Sequence, residues 1–127
     1  MKLGSSPPSS YSKKDTRAAA LALKLADESN SRWRFGAVIV HKRQILGLGY
    51  NRVDKTHPMS SNYTRAIHAE LAAVLDCSSV DVIKGATIYI ARRRLDGLIG
   101  TAKPCSFCYS MLKKLGIKRI VWSKLGI

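Results

Sequence analysis

The chain has 127 residues, with 22 Lys plus Arg against 8 Asp plus Glu, a formal charge of +14. That length argues for one domain able to bury a real core, and 46% hydrophobic residues exclude a disordered basic tail. No apolar run approaches the roughly 20 residues of a bilayer-spanning helix, so the charge points to a polyanionic partner: nucleic acid, a nucleotide or an acidic membrane surface.

Residues 1–12, rich in Ser and Pro, read as a flexible tail, and residues 13–127 as a single domain. The start lacks the apolar stretch of a secretory signal. From Lys13 to about Ser29 a helix is predicted, with Ala18, Leu21, Leu25 and Ala26 at helical spacing and Ser12 or Asp15 as its cap. Phe35–Val40 and Ile45–Tyr50, joined by the polar His41–Gln44, predict a β-hairpin. Arg52 to Arg65, which holds Pro58, reads as a loop. Ile67–Cys77 predicts a second helix with Ile67, Leu71, Val74 and Leu75 as its apolar stripe. Ala86–Ala91 is a β-branched strand, Arg92–Lys103 a loop, and Cys105–Leu115 a third helix ended by Gly116. Ile117–Ser123 is the last strand. The order α-ββ-α-β-α-β, closing on a strand-helix-strand crossover, implies an α/β fold with a parallel pair and helices on the sheet's faces.

Two short segments carry chemistry. Pro104-Cys105-Ser106-Phe107-Cys108 opens the third helix, and the i, i+3 spacing puts both sulfurs on one face. A helix N-terminus favours negative charge, so both thiols should ionise easily. His68-Ala69-Glu70 opens the second helix. Two thiolates and an imidazole make a zinc site with an open fourth position. Glu70 can serve that position only if His68 sits in or just before the first turn, because i and i+2 otherwise diverge. An isolated C-x-x-C is weak evidence and a lone H-x-E weaker; their pairing, each at a predicted helix start, is strong. Cys77, nine residues beyond His68, reads as a buried small apolar residue. The odd cysteine count argues against a disulfide framework and for a reducing, cytoplasmic setting.

H-x-E followed by P-C-x-x-C resembles the signature of the zinc nucleobase deaminases. From about Lys13 to Ser123 the order of elements is similar to the cytidine/deoxycytidylate deaminase superfamily. Gly36–Val40 resembles its first strand, and Gly49-Tyr50-Asn51 its second. The resemblance implies a three-layer α/β/α fold with a mixed sheet: an antiparallel hairpin and parallel last strands. Most members add a fifth strand and a C-terminal helix. With the sequence given ending at Ile127, both are expected to be absent. It also implies one Zn2+ per chain, held by His68, Cys105 and Cys108. Activated water would attack the carbon bearing the exocyclic amine, while Glu70 protonates the ring nitrogen and then the leaving ammonia. Asn51 would contact sugar or base, the Ala69 N–H the base carbonyl, with Phe35, Arg52 and Arg94 as further substrate contacts. His at the first zinc position fits the deoxycytidylate, tRNA and polynucleotide branches. Arg52, where nucleotide-controlled deoxycytidylate deaminases commonly have Gly, puts such control in doubt. The Arg92–Lys103 connection is longer than the short Glu-Pro-Cys approach of bacterial tRNA deaminases.

Arg92-Arg93-Arg94, Arg52, Lys55 and Arg65 should line the rim of the pocket, with Tyr50, Tyr63 and Phe107 as base-stacking candidates. Lys113, Lys114, Lys118 and Arg119 read as solvated. The first expectation is deamination of a cytosine nucleotide such as dCMP. The alternative is a cytosine or adenine deaminase on single-stranded DNA or RNA, which the charge favours. A non-catalytic zinc-stabilised nucleic-acid binder would have no use for Glu70. An unpaired edge on the final strand would favour a homo-oligomer.

Overall fold

Alternation along the strand from Arg34 to His41 determines how the layers are built. Ala37 and Ile39 face one side of the sheet and Gly36 and Val38 the other, all four buried. A computed structural model of the chain describes residues 1–6, 10–52 and 68–126. The sequence readings at Lys55, Pro58, Tyr63, Arg65 and Ile67 lie outside these residues. The elements are β1 (Leu3–Ser5), α1 (Lys13–Ala26), β2 (Arg34–His41), β3 (Gln44–Tyr50) and α2 (Ala69–Asp76). After a short 3-10 turn follow β4 (Thr87–Arg93), β5 (Ile99–Gly100), α3 (Ser106–Lys114) and β6 (Arg119–Ser123).

The main path of the sheet runs β1-β6-β4-β2-β3, with β5 paired to β4. β2 pairs antiparallel with β3 and β4, and β4 pairs parallel with β6. This is the expected mixed α/β sheet in three layers. α1 covers one face over Val38 and Ala91, and α2 and α3 cover the other over Ile39, Ile88, Ile90 and Ile120.

The N-terminal reading needs correction. Leu3–Ser5, expected within a flexible tail, pairs antiparallel with Val121–Ser123. Three small or apolar residues carry too little pattern to announce a strand, but the open edge of β6 recruits them. β1 thus covers the β6 edge that was expected to be unpaired and to drive oligomerisation. Arg92–Lys103 is likewise no plain loop, because Arg92 and Arg93 extend β4 and pair with Gly100 and Ile99.

Ser12 caps α1 through a reciprocal box: its hydroxyl accepts from the Asp15 N–H at 3.4 Å, and its own N–H donates to Asp15 at 2.9 Å. The buried Asp15 also accepts from the Tyr89 hydroxyl at 2.6 Å and from Arg119 at 3.0 and 3.1 Å. Burial alone would raise the Asp15 carboxyl. The bonds from Tyr89 and Ser12 and the Arg119 charge outweigh it and hold the group below the ordinary carboxylate value. Arg119 is therefore not the solvated cation the sequence suggested; it ties β6 to the start of α1.

α2 lies unusually close to the sheet because β3 presents glycine to it. A Cβ on Gly49 would stand 2.3 Å from the Ala73 nitrogen and 2.8 Å from the Ala69 oxygen; one on Gly47 would stand 2.3 Å from the Ala73 oxygen. Ala69 and Ala73 complete the contact from the helix side, both fully buried. The sequence-expected stripe holds at Leu71 and Val74, whereas Leu75 is exposed. Gly49→Ala should therefore cost about 1–3 kcal/mol by forcing backbone apart. Leu48→Ala, at a partly exposed neighbour, should stay within about 0.5 kcal/mol. Denaturant unfolding of both variants checks this; equal stabilities would contradict the close-approach account.

Candidate metal centre and active-site cleft

Two helices begin at the same place. His68 is the N-cap of α2, in extended conformation, so its side chain leaves before the helical face is established. Glu70 follows in the first turn and is buried. This is the geometry that lets residues two apart converge. Cys105 is the N-cap of α3, and its sulfur accepts from the Cys108 N–H at 3.5 Å. Cys105 is exposed and Cys108 buried.

His68 Nδ1 lies 3.2 Å from Cys108 Sγ, and the donor atoms of His68, Cys105 and Cys108 all lie within 4.8 Å of one another. Ligands at zinc–sulfur and zinc–nitrogen distances of about 2.3 and 2.0–2.1 Å would sit under about 4 Å apart in a tetrahedron, so little rearrangement is needed. The electrostatics favour a cation as well. Burial pushes the Cys108 thiol up, and the neighbouring Glu70 and Cys105 push it further. Easy ionisation of both thiols, expected from the helix start, is thus overturned for Cys108: desolvation and like charge outweigh the helix end. Burial also raises the Glu70 carboxyl, against its own backbone N–H, His68 and Cys108. A divalent cation would offset the cost of ionising these buried groups, and the donor set fits one Zn2+ per chain.

His68, Glu70 and Cys105 line a cleft of about 400 Å³, together with Trp33, Phe35, Asn51, Ala69 and Lys103, and Cys108 lies buried behind them. Asn51 is pinned at both ends of its amide. Its Oδ1 accepts from the Phe35 N–H at 2.9 Å, and its Nδ2 donates to the Trp33 carbonyl. The Ala69 N–H is among the first amides of α2, which have no partner within the helix. Of the sequence-derived contacts, Asn51, Ala69 and Phe35 share the cleft with His68, Glu70 and Cys105. Arg52 and Arg94 do not. Arg52 lies on the Tyr50 ring at 5.0 Å and lines a separate groove beside Leu75 and Asp76. Arg94 pairs with Asp96 at 3.0 Å in a neighbouring cleft. Neither Tyr50 nor Phe107 is among the lining residues. The residues missed from sequence are Trp33 and Lys103. A lone Trp in the polar run Ser29–Arg34 was the signal that could have found the first.

The model of the cytidine and deoxycytidylate deaminase zinc-binding region matches residues 12–124. The chain belongs to this deaminase family. A deoxycytidylate deaminase of Mycobacterium phage D29 is 32% identical over 113 residues, covering 73% of this chain and 80% of the relative. The human deoxycytidylate deaminase is 28% identical over 118 residues; the match covers 82% of this chain but only 59% of the human protein. Among solved structures, the dCMP deaminase of cyanophage S-TIM5 in apo form superposes with a TM-score of 0.64 at 23% identity, covering 86% of this chain and 81% of that one. That likeness extends the family assignment to the fold. Cys77, by contrast, is buried with its sulfur donating to the Ala73 carbonyl at 3.3 Å, the packing residue its distance from His68 along the chain predicts.

Purified protein should carry one zinc per chain by elemental analysis. Cys108→Ser should bind markedly less metal, and chelation should lower the melting temperature, with zinc restoring it. Full zinc content in Cys108→Ser would contradict the ligand set.

Proposed function

We propose that the protein is a zinc-dependent hydrolytic deaminase that converts dCMP to dUMP and ammonia. The observation that carries this reading is the buried carboxyl of Glu70 beside a three-donor metal group, lining a cleft of about 400 Å³. A purely structural zinc site has no use for such a carboxyl. The relatives named above as deoxycytidylate deaminases, and a structure of the cyanophage S-TIM5 enzyme in complex with dCMP and dUMP that superposes with a TM-score of 0.61, support the choice of substrate.

His68, Cys105 and Cys108 would hold the metal. Bound zinc supplies Lewis acidity, making water a competent nucleophile near neutral pH. The remaining work falls to the chain's own groups. Phe35 and Trp33 wall the base, and the Ala69 N–H donates to the base carbonyl. Asn51, fixed by its bonds to residues 33 and 35, offers its remaining N–H to the sugar. Glu70 takes a proton from the attacking water and gives it to the ring nitrogen. It then passes the second proton to the exocyclic amine, so that the C–N bond breaks, ammonia leaves and a carbonyl remains. Burial suits Glu70 to this, since a raised carboxyl holds a proton more readily than an exposed one.

Glu70→Gln should retain zinc yet lose roughly 10²–10⁴-fold in turnover on dCMP. Zinc content and a deamination assay on the same preparation check both halves. An active Glu70→Gln enzyme would refute the mechanism.

A second reading, deamination of cytosine or adenine in single-stranded DNA or RNA, is favoured by the exposed Trp33 at the mouth of the cleft and by the nearby arginines. Activity on a cytosine-containing oligomer should then collapse between low and physiological salt, whereas turnover of dCMP alone supports the first reading. Among the described residues no helix is long and apolar enough to cross a membrane. We place the enzyme in a reducing cytoplasm, which keeps Cys105 and Cys108 as thiols for the metal.

A further inference from the structure

Beside the active-site cleft lies a second one, of about 460 Å³, between Trp33 and the β4–β5 hairpin. Trp33 lines both. Four arginines gather at this end of the sheet, and three are committed. Arg93 pairs with Asp27 at 3.1 Å and donates to the Gly97 carbonyl at 2.9 Å. Arg34 donates to the Arg94 carbonyl at 3.1 Å and lies 3.9 Å from Asp27. Arg94 pairs with Asp96.

Arg92 is different. Its guanidinium carbon lies 5.1 Å from the Trp33 ring centre and 5.8 Å from that of Phe35. Its Nε is buried with no hydrogen-bond partner among the described residues. Gly100 makes room for it: a Cβ there would stand 3.0 Å from Arg92 Cδ and 3.2 Å from Nε. The aromatic rings attract the cation and shield one side from water, but they do not neutralise it. A partly desolvated guanidinium without an acid calls for an anion, and its planar fork suits phosphate. Thr101, on the same cleft, accepts from the Leu125 N–H at 3.1 Å, which leaves its hydroxyl hydrogen free to donate.

We propose that this second cleft is an anion subsite in which Arg92 takes a phosphate carried by the nucleotide whose base enters the Glu70 cleft. The proposal rests on the deaminase reading for the identity of that nucleotide. The phosphate is either the nucleotide's own 5′-phosphate or a phosphodiester to a neighbouring residue of a strand. Arg92 is a specificity-determining contact and takes no part in the proton transfers.

Arg92→Met keeps the apolar stem and removes the charge. Turnover of deoxycytidine, dCMP and a short single-cytosine oligodeoxynucleotide without terminal phosphates is compared for both proteins. Arg92→Met should lose about 10- to 100-fold in kcat/KM on dCMP, chiefly through KM, with deoxycytidine unchanged. A parallel loss on the oligomer assigns the phosphodiester as a further ligand; an oligomer that is unaffected or not turned over assigns the 5′-phosphate alone. Equal losses on dCMP and deoxycytidine, or no loss on either, would overturn the subsite. Calorimetric binding of dUMP and deoxyuridine separates this from the deaminase reading. If the wild type deaminates none of the substrates, that reading fails. The subsite then stands only if dUMP binds more tightly than deoxyuridine and Arg92→Met abolishes the difference.

Discussion

The site depends on how closely α2 can approach the sheet. Any side chain at Gly47 or Gly49 would collide with the backbone of α2. The missing Cβ atoms let the helix settle onto β3, with Ala69 and Ala73 as the matching small residues. Everything at the start of α2 inherits that position: His68 at the cap, Glu70 in the first turn and the Ala69 N–H between them. α3, packed against the same core through Leu112, brings Cys105 and Cys108 to the same point. Asn51 completes the frame by stitching the end of β3 to the start of β2.

That placement crowds groups that a metal would need as anions. Two cysteine sulfurs and a carboxyl share a partly buried volume with one imidazole, and burial resists the charge on Cys108 and Glu70 alike. Two helix starts add favourable potential at the cluster's edge, but within a turn or so that effect is modest against desolvation. A divalent cation resolves the conflict. Under the proposed function His68, Cys105, Cys108 and Glu70 would therefore be stabilised together, and metal binding would be tied to both stability and chemistry.

Much of this was legible in the sequence because it was written in local spacing. H-x-E and P-C-x-x-C at helix starts located the metal group, two β-type runs around the polar His41–Gln44 announced the hairpin, and Ser12 or Asp15 was the expected α1 cap, the two forming it together. What was not legible depended on distant partners. Leu3–Ser5 becomes a strand only because β6 offers an edge. Arg94 read as a substrate contact and Arg119 as a solvated cation, yet Asp96 and Asp15 claim them. Arg52, next to Asn51 in the chain, turns back onto Tyr50 and leaves the cleft. Arg92, in a run of three arginines with nothing to distinguish it, is set apart only by Trp33, Phe35 and Gly100. The +14 charge accordingly says less than its size suggests, since the arginines nearest the site are partly neutralised by specific acids.

The central claim is that three side chains from two helix starts hold one zinc ion while Glu70 stands beside it unligated. Zinc K-edge X-ray absorption on the purified protein tests this most directly. The predicted shell has two sulfurs at about 2.3 Å and lighter nitrogen or oxygen atoms at about 2.0–2.1 Å completing four ligands. That shell should be unchanged in Glu70→Gln. A shell of four sulfurs, or one that loses an oxygen when Glu70 is replaced, would contradict the account.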